Sequence, residues 1–498
     1  YLLTASLRYD GSSRFAEDKR WDYFPSIGFA WRLSNEKWFA SHNGSFWKYP
    51  IGSFIQNNVS EVKLKFSYGQ SGNTEIPAYK SIAQAGISSY VFGGSALTTG
   101  SSITQLANEE LTWETTREID YGLSLGLFNN RITMEADYYD KETSNLLLEV
   151  PLPSTSGYQT AFKNLGLVSN KGYEFAVNAN MIENRDFNWN MNFNISFNEN
   201  KVLDLGDADE FFVTAIGDNL TNNDYIVKVG ESLGSIYGLD FDGVYTYDDF
   251  VEFEGMTDSE SASKLYADAA AVGDDGTAMW WSLNQYTLKD GVPLNALVTN
   301  GTYRHGMTKF KDVNSDGVIN DDDRHIIGNT LPKHFGGMSQ NLNFKNFDLS
   351  IQTSWSYGND VYNKTLKKGI QTSVPWRNKF AIVNDRWSPE NPMGRFTAFS
   401  AGSSGDVNSA AYDTYIEDGS YFRIGNITLG FNLPKDLIRK IGVKNLRIYA
   451  SMDNVHIWTK YSGWDPDVSV GNNQLTPGLD VDSYPRSRTF RLGINARL

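Results

Sequence analysis

Residues 187–198 read F-N-W-N-M-N-F-N-I-S-F-N, so that large apolar side chains alternate with small polar ones along the whole segment. Successive side chains of a β-strand point to opposite faces, and the pattern therefore predicts a strand with one apolar and one polar face. The same alternation recurs at residues 119–127, 347–357 and 490–498. Strands of about ten residues are long enough to cross a bilayer at a tilt.

The polar faces of these segments decide between two all-β architectures. They consist of Asn, Ser, Gly, Gln and Asp side chains, which is typical of the wet interior of a membrane barrel. A soluble sandwich would instead bury two apolar faces against each other. We therefore predict an all-β fold, a transmembrane antiparallel β-barrel with long extracellular loops.

About a dozen spanning strands can be placed by alternation and turn residues. They lie near residues 2–10, 23–33, 61–70, 117–127, 131–140, 172–182, 187–198, 335–344, 347–357, 419–431, 445–457 and 487–498. Short polar turns alternate with long connections at 71–116, 141–171, 199–334, 358–418 and 458–486. In outer-membrane barrels the short turns are periplasmic and the long loops extracellular, so the last strand is expected to run toward the periplasm.

Two connections on the predicted periplasmic side are longer than tight turns. Residues 35–39 (N-E-K-W-F) suggest a helical turn, and residues 434–441 (P-K-D-L-I-R-K-I) place Pro at the start and basic residues late. That order is typical of a short helix, for which closing the gap between two strands is the simplest role.

Composition excludes several functions. The chain has 498 residues, with 44 Lys and Arg against 59 Asp and Glu, and a formal charge of -15 argues against nucleic acid as a partner. It has no cysteine, so disulfides, thiol nucleophiles and cysteine metal sites are ruled out.

No nucleophile elbow, phosphate loop or metalloprotease motif is present, and we predict that the protein is not an enzyme. Aromatic residues make up 14% of the chain, which fits the interfacial girdles of a barrel as well as an aromatic all-β core.

The most specific local motif is D-V-N-S-D-G-V-I-N-D-D-D at residues 312–323. It follows the calcium-loop pattern, with a Gly at position 6 for the turn and oxygen ligands at fixed spacing. The predicted ligands are Asp312, Asn314, Asp316, the carbonyl of Val318, Asn320 and Asp323. Position 12 is Asp rather than the usual Glu, which shortens its reach, and an Asp- and Gly-rich turn without an ion is the alternative. With Ca²⁺ bound, the loop would act as a structural clip within the long connection 199–334.

Several aromatic residues in the predicted loops are candidates for contact with a sugar or a peptide. The alternative for most of them is packing between loops or in the outer girdle. The candidates are Trp280, Trp281, Trp376, Tyr461 and Trp464.

Taken in order along the chain, many short segments resemble the C-terminal part of the SusC family of TonB-dependent outer-membrane transporters of Bacteroidetes. The resemblance covers nearly all 498 residues and rests on the order of the segments more than on any one of them. They are LRYDGSSRF at 7–15, FPS at 24–26, YGQSGN at 68–73, LTWE at 111–114, NLG at 164–166, NKGYE at 170–174, the calcium-type loop, IGN at 327–329, EDGSY at 417–421, TLG at 428–430, NV at 454–455, WTKY at 458–461, GWDP at 463–466 and YP at 484–485.

The resemblance implies that residues 1–498 supply about the last 12 strands of a 22-stranded barrel. It also implies a plug, a TonB box and the first strands, which we expect upstream of Tyr1. A SusD-like surface lipoprotein would close the extracellular mouth of the barrel as a lid. The barrel would lie in outer-membrane lipid, and TonB would energise import of oligosaccharides or oligopeptides through it. Two other functions stay open: an extracellular calcium-dependent carbohydrate-binding or adhesin protein, and a passive porin.

Overall fold

Twelve long strands form one antiparallel sheet, which we call the wall. The computed structural model describes residues 1–40, 52, 55, 57–92, 96–152, 154–158, 160–214, 223–272, 286–297, 303–371, 377–398, 411–438, 442–470 and 474–497. In chain order the wall strands are β1 (Leu2–Gly11), β2 (Trp21–Arg32), β3 (Val59–Asn73), β4 (Glu114–Leu127), β5 (Ile132–Ser144), β6 (Leu167–Glu183), β7 (Phe187–Asp204), β8 (His334–Phe344), β9 (Phe347–Tyr357), β10 (Tyr421–Asn432), β11 (Asn445–Thr459) and β12 (Thr489–Arg497). All twelve predicted strands are confirmed, and several are a few residues longer than alternation alone indicated.

Each wall strand pairs with the next one along the chain, so the sheet is an uninterrupted meander from β1 to β12. The register keeps like residues on one face. Phe193 lies opposite Val177 on β6 and opposite Met338 on β8, while its neighbour Asn192 lies opposite Asn178 and Ser339. The quoted segment therefore has its apolar and polar side chains on opposite faces, as predicted.

Aromatic side chains cluster on the apolar face. Phe66, Tyr121, Tyr138 and Tyr173 come from four adjacent strands, and consecutive ring centres are 5.2, 6.5 and 5.1 Å apart. Many other large apolar residues of the wall are exposed to the surroundings of the protein, including Leu7 and Leu492. A lipid environment, not water, suits a face of this composition. Among the described residues, no helix is long and apolar enough to cross a membrane.

The polar face carries hydrogen bonds and ion pairs between neighbouring strands. Lys65 Nζ lies 2.9 Å from Asp137 Oδ1 across β4, at a point where Gly122 leaves room for both side chains. Arg447 pairs with Asp348 across β10. Asn198 and Asn200 both donate to Asn170 Oδ1, over 3.1 and 2.9 Å. These contacts agree with the predicted wet interior.

Tight turns join strands at one end of the wall. Phe128, Asn129 and Asn130 have positive φ between β4 and β5, and Lys345 has positive φ between β8 and β9. The predicted helical turn near residues 35–39 is present at Lys37–Ala40. The helix predicted at 434–441 is described only at Lys435–Ile438, and residues 439–441 lie outside the described part.

At the opposite end, six connections fold into smaller elements. Their strands are Gln84–Phe92 paired with Ala96–Gln105; Leu147–Pro151 paired with Thr160–Asn164; a sheet of Glu210–Val213, Tyr225–Lys228, Ser235–Gly238 and His325–Asn329; Phe241–Val244 with Thr308–Phe310; Leu294–Asn295 with Val318–Ile319; and Asp360–Asn363 with Ile416–Asp418 and Leu479–Asp480. The helices are Asp258–Val272 and Lys364–Ile370, with 3₁₀ turns at Glu17–Lys19, Ser154–Ser156, Tyr247–Asp249, Val251–Phe253, Asp321–Asp323, Ala381–Asp385 and Asp413–Tyr415; a further one, Leu33–Asn35, lies at the tight-turn end.

A small aromatic core ties the first loops to the wall. Phe15, Phe24 and Trp113 are buried together, and Trp113 Nε1 donates to the carbonyl of Arg20 over 3.1 Å. A Cβ on Gly72 would lie 2.1 Å from the Phe24 ring and 2.7 Å from the Trp113 ring. Only glycine therefore fits at this position of the YGQSGN segment.

The two faces of β7 predict opposite effects of the same substitution. We expect Phe193→Arg, in the middle of the apolar face, to cost about 2–4 kcal/mol of folding free energy, because the guanidinium must enter hydrocarbon. Asn192→Arg on the polar face is the matched control and should cost far less. Urea titration of the native protein in lipid vesicles, followed by heat-modifiable electrophoresis, measures both. Equal losses in the two variants would contradict the assignment of the faces.

Candidate functional site

The long connections of the second half of the chain fold together into one body, which we call the cap. Its core takes buried residues from the connections after β7, after β9 and after β11, so no connection forms it alone. Members that are almost completely buried include Tyr225, Tyr245, Phe250, Phe310, Tyr362, Trp387 and Leu479. A shared apolar core of this kind fixes the loops relative to one another.

A buried ion pair joins two of the connections. Lys364 Nζ lies 3.1 Å from Asp224 Oδ2, and the side chains are 1% and 0% exposed. The Tyr362 hydroxyl donates to the other oxygen of Asp224 over 3.4 Å. Burying two charges carries a desolvation cost, but loss of one partner would leave the other charge uncompensated. The pair therefore holds the connections after β7 and β9 in one relative position.

The GWDP segment is fixed to the wall by Arg423 and to the far end of its own connection by Arg486. Arg423 of β10 is buried and contacts Asp465 Oδ1 at 2.5 Å, and Arg486 Nε lies 3.3 Å from the second oxygen of Asp465. Arg486 also pairs with Asp467 over 2.6 Å. These ion pairs join the beginning and the end of the last connection to each other, and Arg423 anchors its beginning on the wall.

The calcium-type loop has a closed conformation within the cap. Asp312 Oδ2 accepts a hydrogen bond from the amide of Gly317 over 2.8 Å, and Asp312 Oδ1 accepts from Asp316 over 3.2 Å. Asp316 Oδ1 accepts from the amide of Val318 over 2.8 Å. Ser315 and Gly317 have positive φ, which gives the sharp turn that the glycine predicts.

Asp323 joins the two ends of this loop. Its carboxylate is fully buried and accepts from the amides of Val313 and Asn320, each over 2.8 Å. Residues Val318–Ile319 pair in parallel with Leu294–Asn295, and Ile319 is buried in the cap core. The loop is therefore docked on the cap through Ile319 and Asp323, while residues 313–317 are exposed.

The metal site itself stays a prediction. Among the described residues, no three His, Asp or Glu side chains converge closely enough to hold a metal ion. The carboxylates of Asp312, Asp316 and Asp323 are instead turned toward amides of the loop. Each carboxylate oxygen has a second lone pair, so these hydrogen bonds leave acceptor capacity for a cation.

The predicted aromatic ligand contacts have different surroundings. Trp280, Trp281 and Trp376 lie outside the described residues. Tyr461 is buried, and its hydroxyl donates to Asp480, so it packs between loops, which was the alternative for this set. Trp464 is 72% exposed and is open to a ligand or a partner.

Sequence reasoning missed an aromatic cage around His305. The imidazole is buried, with its centre 4.4 Å from the ring of Phe250, 4.7 Å from Phe253 and 5.1 Å from Tyr286. Tyr247 and Trp387 complete the cage. Burial lowers the pKa of His305 to about 3, and Asp249 only partly opposes this effect. The cage residues are too scattered along the chain for sequence spacing to reveal it.

The sequence also missed a cavity between two loop hairpins near the first half of the wall. It is lined by Lys80, Gln84, Thr104, Tyr158 and Phe162 among others. One signal was available: residues 84–105 contain no charged residue, in a chain that is 21% charged.

Comparison with known proteins assigns this chain to the TonB-dependent receptor family. A family model described as TonB dependent receptor-like, beta-barrel, matches residues 1–300. TonB-dependent receptor P3 of Formosa agariphila is 32% identical over 509 aligned positions, which cover 100% of this chain and 44% of that protein. TonB-dependent receptor SusC of Bacteroides thetaiotaomicron is 28% identical, over 99% of this chain and 42% of that protein. The chain thus spans less than half the length of these relatives.

A solved structure shows the same fold. The chain superposes on a chain of the RagAB peptide transporter with a TM-score of 0.70 and 22% sequence identity, over 99% of this chain and 45% of that one. The RagAB peptide importer in its open-open state gives a TM-score of 0.68, at 21% identity. At this level of identity the likeness concerns the fold alone.

The His305 cage predicts an acid-sensitive cap. His305 stays neutral in the folded cap down to about pH 3 but takes up a proton near pH 6.5 once the cap opens. Stability should therefore fall as the pH drops below 6.5, by about 2–3 kcal/mol at pH 4.5 from this group. Hydrogen exchange of residues 245–253 and 303–310 at pH 7 and 4.5 measures the loss. His305→Phe, which cannot be protonated, should lose less, and an equal loss in both proteins would contradict the role of His305.

Proposed function

Because the chain belongs to the SusC-like group of the TonB-dependent receptor family, whose members are outer-membrane proteins, we propose that it forms the C-terminal part of an active nutrient importer. The observation that carries the proposal is the combination of a twelve-stranded wall with a cap that, among the described residues, lies at one end of it. Once closed by further strands, such a wall would enclose a passage through the membrane, and the cap would shape its entrance. The substrates would be oligosaccharides or oligopeptides, as the resemblance implies.

The two open edges of the wall indicate that it is part of a larger barrel. Strands β1 and β12 each pair on one side only, and unpaired strand edges are not stable within a bilayer. We propose that ten further strands of the same polypeptide complete a barrel of 22 strands, which is wide enough to require a plug. The wall would then be the side of the barrel, and the polar face with Lys65 and Asp137 would face the plug or the passage.

The location in the outer membrane limits the possible energy sources for import. The outer membrane has neither ATP nor an ion gradient of its own, so displacement of a plug needs energy from elsewhere. TonB, which would act on an upstream plug and TonB box, is the proposed coupling partner. A SusD-like lipoprotein is the proposed lid, and the rigid cap with the exposed Trp464 offers a fixed surface against which a lid could close.

The import proposal predicts dependence on both the receptor and TonB. Uptake of fluorescently labelled oligosaccharides and oligopeptides by native cells should be lost for the same compounds when the receptor gene or tonB is deleted. Uptake that persists without TonB would favour a passive porin. Peptide mapping of the native polypeptide is the control, since the mechanism requires a plug upstream of Tyr1.

We also propose that the loop at residues 312–323 binds Ca²⁺ through the oxygens of Asp312, Asn314, Asp316, Val318, Asn320 and Asp323. The loop order and its turn at Gly317 support this, because calcium loops use oxygen ligands at this spacing around a glycine. The ion would use the remaining lone pairs of the carboxylates, which keep their amide contacts, and would stiffen the edge of the cap.

Calcium binding predicts slower hydrogen exchange of residues 312–323 when Ca²⁺ replaces a chelator. Asp316→Ala removes a ligand and should abolish this protection, whereas Asp322→Ala, an exposed carboxylate outside the ligand set, should retain it. No change in exchange with Ca²⁺ in the native protein would exclude the site. If Asp316→Ala leaves substrate binding and lid association unchanged, the loop is a local staple only.

A further inference from the structure

Two loop hairpins near the first half of the wall enclose a cavity of about 470 Å³, which we call the loop slot. One side is formed by the base of the hairpin Gln84–Phe92 and Ala96–Gln105. The other is formed by the hairpin Leu147–Pro151 and Thr160–Asn164 with the turn that contains Tyr158. A volume of this size is within the range of pockets that hold small ligands.

Hydrogen bonds to the backbone hold the two sides of the loop slot in place. Gln105 Nε2 donates to the carbonyls of Tyr79 and Ile82, each over 2.9 Å, and fixes the first hairpin at its base. Asn108 Nδ2 donates to the carbonyl of Phe162 over 2.8 Å, which joins the second hairpin to the segment that follows the first. A slot stabilised in this way is preformed, and a ligand would not have to order it.

The same junction is reinforced by Asn164. Its side-chain oxygen accepts from the amide of Thr112, and its Nδ2 donates to the carbonyl of Thr112, each over 2.8 Å. This reciprocal pair belongs to the NLG and LTWE segments of the sequence. Those two segments therefore position the loop slot, in addition to any role in the barrel.

The lining combines aromatic rings with uncharged hydrogen-bonding groups. Phe162 and Tyr158 supply rings, and the Lys80 amine lies 5.2 Å from the centre of the Phe162 ring. Gln84 and Thr104 add an amide and a hydroxyl, and Glu149 adds a carboxylate. Amide and hydroxyl groups both donate and accept, as sugar hydroxyls do. Rings, in turn, suit the apolar C–H face of a sugar.

Charge favours a neutral ligand over a charged peptide. The whole first hairpin, residues 84–105, is free of charged side chains, and the slot has one cation and one anion, Lys80 and Glu149. A pocket that selected acidic or basic peptides would need an excess of one sign. The lining instead matches a ring with several hydroxyl groups and no net charge.

We propose that the loop slot binds one or two hexose or pentose units of a neutral glycan. This inference rests on the proposed import function, which it deepens by naming the substrate class as oligosaccharide. The slot captures the glycan at the loop end of the wall. Tyr158 stacks on a sugar ring, while Phe162, which packs against the core of Phe15, closes the base of the slot. The Gln84 amide bonds the sugar hydroxyls, and Thr104 Oγ1, which donates to the Gln84 carbonyl over 3.2 Å, accepts from one of them.

The test is binding of neutral glycans to the purified full-length protein in detergent, measured by titration calorimetry. The probes are hexasaccharides of α-glucan, β-glucan, xylan and mannan, with a mixture of charged octapeptides for comparison. At least one neutral hexasaccharide should bind with a Kd below 1 mM. Tyr158→Ala and Gln84→Ala should each weaken that binding about tenfold, which corresponds to about 1.4 kcal/mol.

Tyr90→Ala is the matched control, because Tyr90 lies on the first hairpin but outside the slot, and its affinity should stay within about twofold of the native value. The inference is overturned if no neutral hexasaccharide binds, if Tyr158→Ala binds as well as the native protein, or if the charged peptides alone bind. The outcome is separate from import: loss of TonB in cells tests transport, whereas this titration tests the slot on the isolated protein.

Discussion

The backbone ladder of the wall is the constraint on which the rest of the structure depends. Within a bilayer every amide and carbonyl must find a partner in the protein, and the meander from β1 to β12 meets this demand strand by strand. Once neighbouring strands pair in register, the twofold period of the side chains separates the two faces automatically. The lipid-facing aromatic rows and the polar face with its Asn and ion-pair contacts are consequences of that ladder.

The wall also favours folding of the cap, because it holds the ends of the connections close together. Its connections start and end on adjacent strands, so their ends are already close before any loop contact forms, and closure costs little chain entropy. The remaining freedom is removed by a shared aromatic core and by buried pairs such as Lys364 with Asp224. The calcium-type loop is part of this body, since Ile319 enters its core and Asp323 closes its ends.

The proposed import and glycan capture would give the wall and the loops different tasks. The wall would supply one side of a passage and a surface that tolerates lipid, whereas the loops would supply fixed positions for ligand contacts. The loop slot and the cap would both suit a receptor that holds a substrate before energy is delivered from another membrane. The acid sensitivity expected from His305 concerns the cap alone, because the wall is held by its ladder.

Local alternation was sufficient to predict twelve strands, their antiparallel order and the contrast between their faces, because period and turn residues are short-range properties. The turn at Gly317 was likewise readable from the sequence. Partners distant in the chain were not. Tyr461, a candidate ligand contact, is buried, and its hydroxyl donates to Asp480.

The sequence by itself was enough to predict the membrane-spanning strands and the family of the protein. Both predictions rest on features that occur along the whole chain, namely the alternating segments and the short family-like segments. Only the tertiary structure decided which distant residues meet: Asp224 pairs with Lys364, Arg423 pairs with Asp465, and Tyr158 and Gln84 line one slot. The physical reason is that a strand's period is set by its own backbone, whereas loop contacts are set by packing between segments far apart in the chain.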